Sequence, residues 1–474
     1  MGFRLMITRH RAIPPETAAT VEQSPHWGWG AAIAFCASGF LIPLLLSAAL
    51  GMRPALAVPS FAIQTSQPCA ACHIGAYGPH LTPAGRDFKL HGYIRSDGQD
   101  HGLPLAFTTQ TSFTHTATSV PGGAAPGFKP NDNVAVDEVA AYYAGRITSE
   151  IGGFIAFKFD GVAQQAQIDV IDIRHVREGQ LFGQDALFGI TVNDGPTVQD
   201  AWNSTPFWGY PWSRSALAPT PMASTLVDGG LDQRVIGAGA YMLWNDLLYL
   251  EADAYKGLNT TALRAFGQPV DDSDRTTTFM PYARLAVIRD WEKHHVEFGA
   301  FALSASVVPG NDQTSGLSLR KTDVAFDATY QYITDPAKVT SDRLSAHATY
   351  IHETASMDTG DAVLRGALPD HSLDTMRADV SYSFGATVTP SMQYFRTTGT
   401  ADVTYWATPN GSPNSDGMIF EVAYVPWGKP DSPFPNVNLR LAVQYVNYFS
   451  FDGSPVNARS NNNFYFGFQT AVKF

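Results

Sequence analysis

From about residue 105 onward, apolar and polar residues alternate one for one in stretch after stretch. Asp323-Val324-Ala325-Phe326-Asp327-Ala328-Thr329-Tyr330 is one example, Arg377-Ala378-Asp379-Val380-Ser381-Tyr382-Ser383-Phe384 a second, and Val437-Asn438-Leu439-Arg440-Leu441-Ala442-Val443-Gln444-Tyr445 a third. Side chains along a strand point to opposite faces in turn, so each stretch has one apolar and one polar face. Two architectures use such strands. A sandwich turns the apolar face inward, whereas a transmembrane barrel turns it outward to lipid and lines its lumen with polar groups.

Three features favour the barrel. The strands are long, often ten to fourteen residues, as a tilted membrane crossing requires. They number about sixteen, an even count, over 105–117, 133–147, 153–162, 167–178, 186–194, 233–243, 247–256, 277–289, 293–306, 320–333, 341–355, 373–384, 387–398, 416–426, 436–449 and 461–474. Their connections mostly alternate between tight turns, such as Trp244-Asn245-Asp246 and Gly385-Ala386, and long segments rich in Gly, Pro, Ser, Thr and Asp at 195–232, 257–276, 356–372 and 399–415. The short gap at 163–166 interrupts that alternation. Finally, the chain ends on a strand, with apolar residues at alternate positions back from Phe474. This is the form of an outer-membrane assembly signal. The reading is an all-β protein: a sixteen-stranded antiparallel transmembrane barrel over 105–474, porin-like, with a lumen wide enough for water. Only 16% of residues are charged, and the net charge of −12 with no basic stripe excludes a nucleic-acid partner.

Ahead of the barrel lie two shorter units. Residues 31–50, AAIAFCASGFLIPLLLSAAL, are uncharged and apolar, and Ala55-Leu56-Ala57 follows as a small-x-small cleavage site. With Arg4, Arg9 and Arg11 upstream, residues 1–57 read as a removed export signal. A mature chain from Val58 loses more basic than acidic residues, and so is more acidic than the whole.

Residues 58–104 carry the second unit. Cys69-Ala70-Ala71-Cys72-His73 matches C-x-x-C-H, the attachment pattern for c-type haem. Two thiols at this spacing reach the two vinyl groups of one macrocycle, and the adjacent histidine becomes the proximal iron ligand. A thioredoxin-like βαβ context is missing, and a zinc site lacks a second cysteine pair. One covalent haem c is therefore expected on Cys69 and Cys72, with His73 on the iron.

No methionine occurs between Val58 and Pro221. A methionine ligand could come only from far along the chain; the nearby histidines His80, His91, His101 and His115 are the other candidates, His80 and His91 first, or the position is open or water-bound. A helix over Pro83 to His91 could fold back over the ring. Its Arg86 and Lys89 could pair with haem propionates or remain solvated. About 47 residues are too few for an independent core. The segment is expected to plug the lumen, entering from the periplasmic side where the short turns lie, with the long loops extracellular. No nucleophile elbow or H-E-x-x-H motif supports a hydrolase. His294-His295 reads as a turn beside a strand rather than a metal site.

The stretch Pro59-Ser60-Phe61-Ala62-Ile63-Gln64-Thr65, the C-A-A-C-H motif and Leu81 to Tyr93 (LTPAGRDFKLHGY) resemble the fused cytochrome–porin family of bacterial outer membranes. Its best-known members are monohaem iron oxidases. Tyr424-Val425-Pro426-Trp427 and the last two strands are similar to it as well. The resemblance implies iron:cytochrome c oxidoreductase activity, in which an electron from extracellular Fe(II) passes through the haem to a periplasmic cytochrome or copper protein. Two alternatives stand beside it: a conduit for a different extracellular donor, and a diffusion porin with a haem-bearing plug or gate.

Overall fold

A computed structural model describes residues 59–270, 275–276, 278–308, 317–406, 408–434 and 436–473. The export signal, Cys36, Val58 and Phe474 lie outside the described residues.

Seventeen strands form one sheet, sixteen of them long. They are β1 (Leu105–Thr116), β2 (Asn133–Arg146), β3 (Ile151–Asp160), β4 (Gln165–Leu181), β5 (Gln184–Asn193), β6 (Val235–Trp244), β7 (Leu248–Gly257), the two-residue β8 (Arg275–Thr276), β9 (Phe279–Trp291), β10 (His294–Val308), β11 (Leu319–Ile333), β12 (Arg343–Ser356), β13 (Asp370–Ser383), β14 (Val388–Gly399), β15 (Ser415–Tyr424), β16 (Val437–Ser450) and β17 (Asn463–Lys473). Every pairing is antiparallel, and β1 pairs with both β2 and β17, which closes the sheet. Closure pairs the backbone groups that lipid could not satisfy. β8 pairs with the end of β10, outside the ring of sixteen.

The wall is apolar outside and polar within. On β9, Leu285 and Val287 are exposed, whereas Arg284, just before them, is 2% exposed and faces the lumen. There Arg284 donates to Asp327 at 2.7 Å and to Glu297 at 3.0 Å. On β7, Leu250 points out while Tyr249, Glu251, Asp253 and Tyr255 point in. Buried charge in a water-free core costs heavily unless paired, so these lumen pairs are what a polar interior requires. An apolar exterior over long, closed strands is the membrane-facing wall of a porin-like outer-membrane barrel. None of the described helices is long and apolar enough to cross a membrane.

One end of the barrel carries the turns 182–183, 245–247, 292–293 and 384–387, with 147–150, 334–342 and 425–436. Asn245, Asp246, Gly385 and Ala386 all have positive φ, as tight hairpin turns demand. The other end carries the long loops, and the gap at 163–166 proves to be a four-residue turn there, 161–164, where Asp160 Oδ1 accepts from Val162 N and Ala163 N.

One long loop does not extend outward as expected. Residues 194–234 fold into the lumen, where Val198, Gln199, Ala201, Trp202 and Tyr210 are buried. Wall side chains draw the loop in. Gln393 donates to Tyr210 O, Gln444 to Ser213 O, and the carboxylates of Glu353 and Asp323 accept from Leu226 N and Val227 N.

Candidate functional site

The N-terminal segment sits in the lumen at the short-turn end. It has three short helices: α1 (Pro59–Thr65), α2 (Cys69–Cys72) and α3 (Pro83–Leu90). Phe61 and Phe88 pack edge to face at 4.9 Å, and Phe61 stacks on Tyr93 at 5.2 Å. Thr82 caps α3 by accepting from Gly85 N, and Pro83 stands at its first position, where a missing N–H costs nothing. α3 crosses the end of α2 at Gly85, where an added Cβ would lie 2.2 Å from Cys72 O. Only glycine permits that approach.

α2 is one turn, C-A-A-C, so Cys69 and Cys72 are three residues apart on one face. They are not joined in a disulfide. His73 leaves the helix in extended conformation and bridges to Leu81, through Ile74 N to His80 O and Thr82 N to Cys72 O, both 2.9 Å. Burial pushes the Cys72 thiol up to about 11, although Arg343 opposes it, so the sulfur keeps its proton. Burial also pulls His73 down to about 4, against the Gly78 backbone, which leaves a neutral imidazole with one nitrogen lone pair to donate. His73 Nδ1 is buried without a hydrogen-bond partner. Paired thiols on one face and an adjacent neutral imidazole form a donor set that fits haem c.

The wall holds this turn from two sides. Asn438 of β16 donates through Nδ2 to Cys69 Sγ at 3.3 Å and to Ala76 O at 2.7 Å. Arg343 of β12 donates to Ala70 O at 2.8 Å and to Val339 O at 2.7 Å.

The remaining candidates occupy separate places. His80 is buried, packs at a tilt against Trp212 at 4.9 Å and edge-on to His347 at 4.6 Å, and bonds through Nε2 to Ser345 Oγ at 2.7 Å. Its neighbour Leu81 shares a face with His73 across the bridge, so His80 turns to the opposite face. Burial, with His347 beside it, holds His80 well below the usual imidazole range. His91 caps α3, with Nδ1 3.1 Å from Asp87 Oδ1 and Nε2 3.2 Å from Glu178 Oε1. Burial lowers its pKa, but the Asp87 hydrogen bonds and charge outweigh it, so the net shift is upward. Arg86 donates to Gln331 Oε1 at 2.5 Å. Lys89 donates to Val198 O and Asn203 Oδ1, and its Nζ lies 4.6 Å from the centre of the Trp208 ring. Burial lowers Arg86 to about 10 and Lys89 to about 7, with Arg174 adding to the latter. His101 pairs with Asp97 outside the turn, and His115 with Asp132 at the long-loop end. His294 opens β10, bonded to Tyr330, and no trio of described His, Cys, Asp or Glu residues is arranged to hold a metal ion.

Segment and inserted loop meet in mid-lumen. Besides Lys89, Asn203 Nδ2 donates to Pro79 O, and Arg174 Nη groups donate to Lys89 O and Gln199 O. Beside this meeting point Asn203, Tyr210, Trp212, His347, Arg377 and Asp379 line a small polar cavity. The sequence reading missed Asn438, Arg343 and His347. All three belong to alternating stretches, where parity marks an inward residue but not its partner.

No family model and no curated protein matches this chain. Solved structures do. The anion-selective porin from Comamonas acidovorans is 9% identical, with a TM-score of 0.43 over 79% of this chain and 99% of its own. The outer membrane channel DcaP of Acinetobacter baumannii is 11% identical, with a TM-score of 0.41 over 78% and 96%. OmpT of Vibrio cholerae is 9% identical, with a TM-score of 0.40 over the same shares. These scores are too low to add to what the wall itself establishes.

Proposed function

We propose that this barrel is an outer-membrane electron conduit. Cys69 and Cys72 would hold a single haem c, which would supply the one-electron couple for passing electrons from an extracellular donor, Fe(II) foremost, to a periplasmic cytochrome or copper protein. The observation that supports this reading is a C-x-x-C-H turn, its two thiols not joined in a disulfide, inside the lumen of a membrane-spanning wall. Bound haem supplies a one-electron iron couple. The chain's residues do the rest. Cys69 and Cys72 would tether the group, and neutral His73 would donate to its iron. Asn438 and Arg343 fix the turn to the wall. Lys89, Asn203 and Trp212 join the two lumen inserts, which narrows the path for ions and water.

One experiment tests the reading. Purified protein with covalent haem is mixed with Fe(II) in a stopped-flow spectrometer, and rapid reduction of the Soret band is expected. An oxidised haem unmoved by Fe(II) but reduced by an organic or sulfur donor would assign a different donor. The inserted loop within a sixteen-strand wall also suits a second reading, a diffusion porin with a plug. Large steady currents in planar bilayers, with haem attached, would favour the porin.

A further inference from the structure

We propose that the long-loop end of strands β2 to β5 holds a hydrated divalent cation, drawn in by carboxylates that outnumber their positive partners. The site stands without haem; its use in gathering Fe(II) rests on the conduit reading.

Two irregularities in the wall build it. Val134 and Val139 of β2 both face outward although they lie an odd number of residues apart, which a regular strand does not allow. In the pairing with β1, Gln110 opposes Glu138 and Thr111 opposes Val136, so Asp137 is an extra residue. This bulge turns Asp137 and Glu138 to the lumen together. β4 has a second bulge: Ala156 opposes Val170 and Phe157 opposes Ile168, which leaves Asp169 extra. Between the two, Lys158 of β3 points in, with Phe157 and Phe159 exposed on the outside. Its Nζ lies 2.5 Å from Asp169 Oδ1 and 3.8 Å from Glu138 Oε2.

Asp160 ends β3, and Asp194 and Asp232 stand at the two ends of the inserted loop. Gln233 ties them to β4, donating through Nε2 to Asp169 O at 2.9 Å and through N to Asp194 O at 3.2 Å. A Cβ on Gly195 would lie 3.5 Å from Asp232 Oδ1. Asp137, Glu138, Asp160, Asp169, Asp194 and Asp232 thus share Lys158, with Arg214 near Asp232.

One oxygen of this group points to a ligand. Asp194 is 0% exposed; Ile171 N donates to its Oδ1 at 2.8 Å, and nothing donates to its Oδ2. A buried acceptor without a partner is costly, and a cation's water shell supplies the missing donor. No trio among the described residues is arranged to hold a bare ion, so the ion keeps its water, as small hard cations do. Burial pushes Asp194 up to about 8, against the Ile171 N–H, with Asp169 and Asp232 adding to the rise. Burial pushes Asp232 up to about 7, with Asp228 and Asp169 adding, against Arg214 and Lys158. Protons and cations therefore compete here near neutral pH. A mouth lined by one sign of charge also raises the local concentration of counter-ions.

The test uses the full chain folded in detergent, with heat-dependent gel mobility reporting the closed barrel and Mn²⁺ as the probe in equilibrium dialysis. About one Mn²⁺ per chain should be retained at pH 8 in dilute salt, and hexaamminecobalt(III), whose ammine shell carboxylates do not replace, should displace it. Binding should weaken at least about ten-fold from pH 8 to pH 6, because the carboxyls must lose protons to take a cation. Asp194→Asn should weaken it at least about ten-fold, and Lys158→Met, which removes the nearby ammonium, should tighten it, a gain that misfolding does not produce. No retained Mn²⁺, Mn²⁺ that resists hexaamminecobalt(III), or an affinity that either change leaves untouched overturns the site. On the haem-loaded chain, Asp194→Asn should raise the Fe(II) concentration that gives half the maximal reduction rate and leave the rate at saturating Fe(II) as it was; an unmoved Fe(II) dependence overturns the gathering role. Mn²⁺ bound as described, with a Soret band that Fe(II) never moves, overturns the conduit reading instead and leaves the site standing.

Discussion

The N-terminal segment and the 194–234 loop both fill the lumen, but they are gripped differently. The segment reaches the wall with its own side chains, Arg86 on Gln331, His80 on Ser345 and Tyr93 on Asp172, while wall side chains also hold its backbone, Asn438 at Ala76 O and Arg343 at Ala70 O. The loop meets the wall with side chains such as Gln199 on Asp253, and its backbone is held as well: Gln393 and Gln444 find its carbonyls, Glu353 and Asp323 its N–H groups. In the first case the instructions are shared between filler and wall. In the second they are distributed over β11, β12, β14 and β16, more than ninety residues away at the nearest, Asp323 to Val227. A filler of the first kind is sensitive to its own mutations. One of the second kind tolerates them and fails when the wall changes.

The largest effect should come from the segment. Cys69→Ser with Cys72→Ser should abolish covalent haem, read as loss of haem stain on a denaturing gel, while the heat-modifiable barrel and the loop's protection from protease persist. Haem that survives denaturation in this variant would break the assignment.

Next is the junction. Lys89→Met leaves Val198 O and Asn203 Oδ1 without their donor inside the lumen, a loss of about 1–3 kcal/mol. Ion current through planar bilayers should rise as the two fillers part. An unchanged current would mean that the remaining contacts, Asn203 to Pro79 and Trp212 to His80, suffice.

A smaller, local effect separates wall from loop. Glu353→Leu removes the acceptor of Leu226 N–H and the partner of Lys321, so protease cleavage within 220–232 should increase while haem content stays constant. Met222→Ala, in the loop itself but exposed, should leave the digestion pattern as in wild type. Equal sensitivity of the two variants would erase the distinction between the two kinds of filler.

The same distinction explains what could be read from sequence. The sixteen wall strands were legible to within about three residues, because lipid outside and polar groups inside impose period two on each of them. α3 was legible from Thr82, Pro83 and its short periodic run, ending one residue before His91. The inward course of 194–234 was not legible. Glu353 and Asp323 occupy inward positions whether they face water or a peptide N–H, and the loop's own Trp202, Tyr210 and Trp212 follow no period. For the same reason alternation marks Asn438 and Arg343 as lumen residues without marking them as the seat of Cys69. His80 was a candidate by nearness in sequence, and His91 as the end of a helix that could fold back over the ring. The fold commits the first to Ser345, His347 and Trp212 and the second to Asp87 and Glu178.

The smallest effect lies at the segment's exit, and there pH is the probe. Asp97 accepts from Ser66 Oγ at 2.6 Å, from Gln99 N at 2.9 Å and from His101, which hold its carboxyl down at about 2. A carboxyl whose pKa is lower folded than unfolded contributes its stabilisation above the ordinary value of 3.8, and loses it as pH falls through about 2. Pepsin works across that range. The 95–104 stretch should resist it at pH 3.5 and be cut below pH 2, whereas Asp97→Asn, which keeps the shape but not the charge, should be cut at similar rates at both. Because Asp97 ties one part of the segment to another and touches no wall residue among these partners, the cut should leave the loop's digestion pattern as it was. A parallel change within 194–234 would mean that the two fillers yield together, and that their separate modes of attachment do not make them separate units.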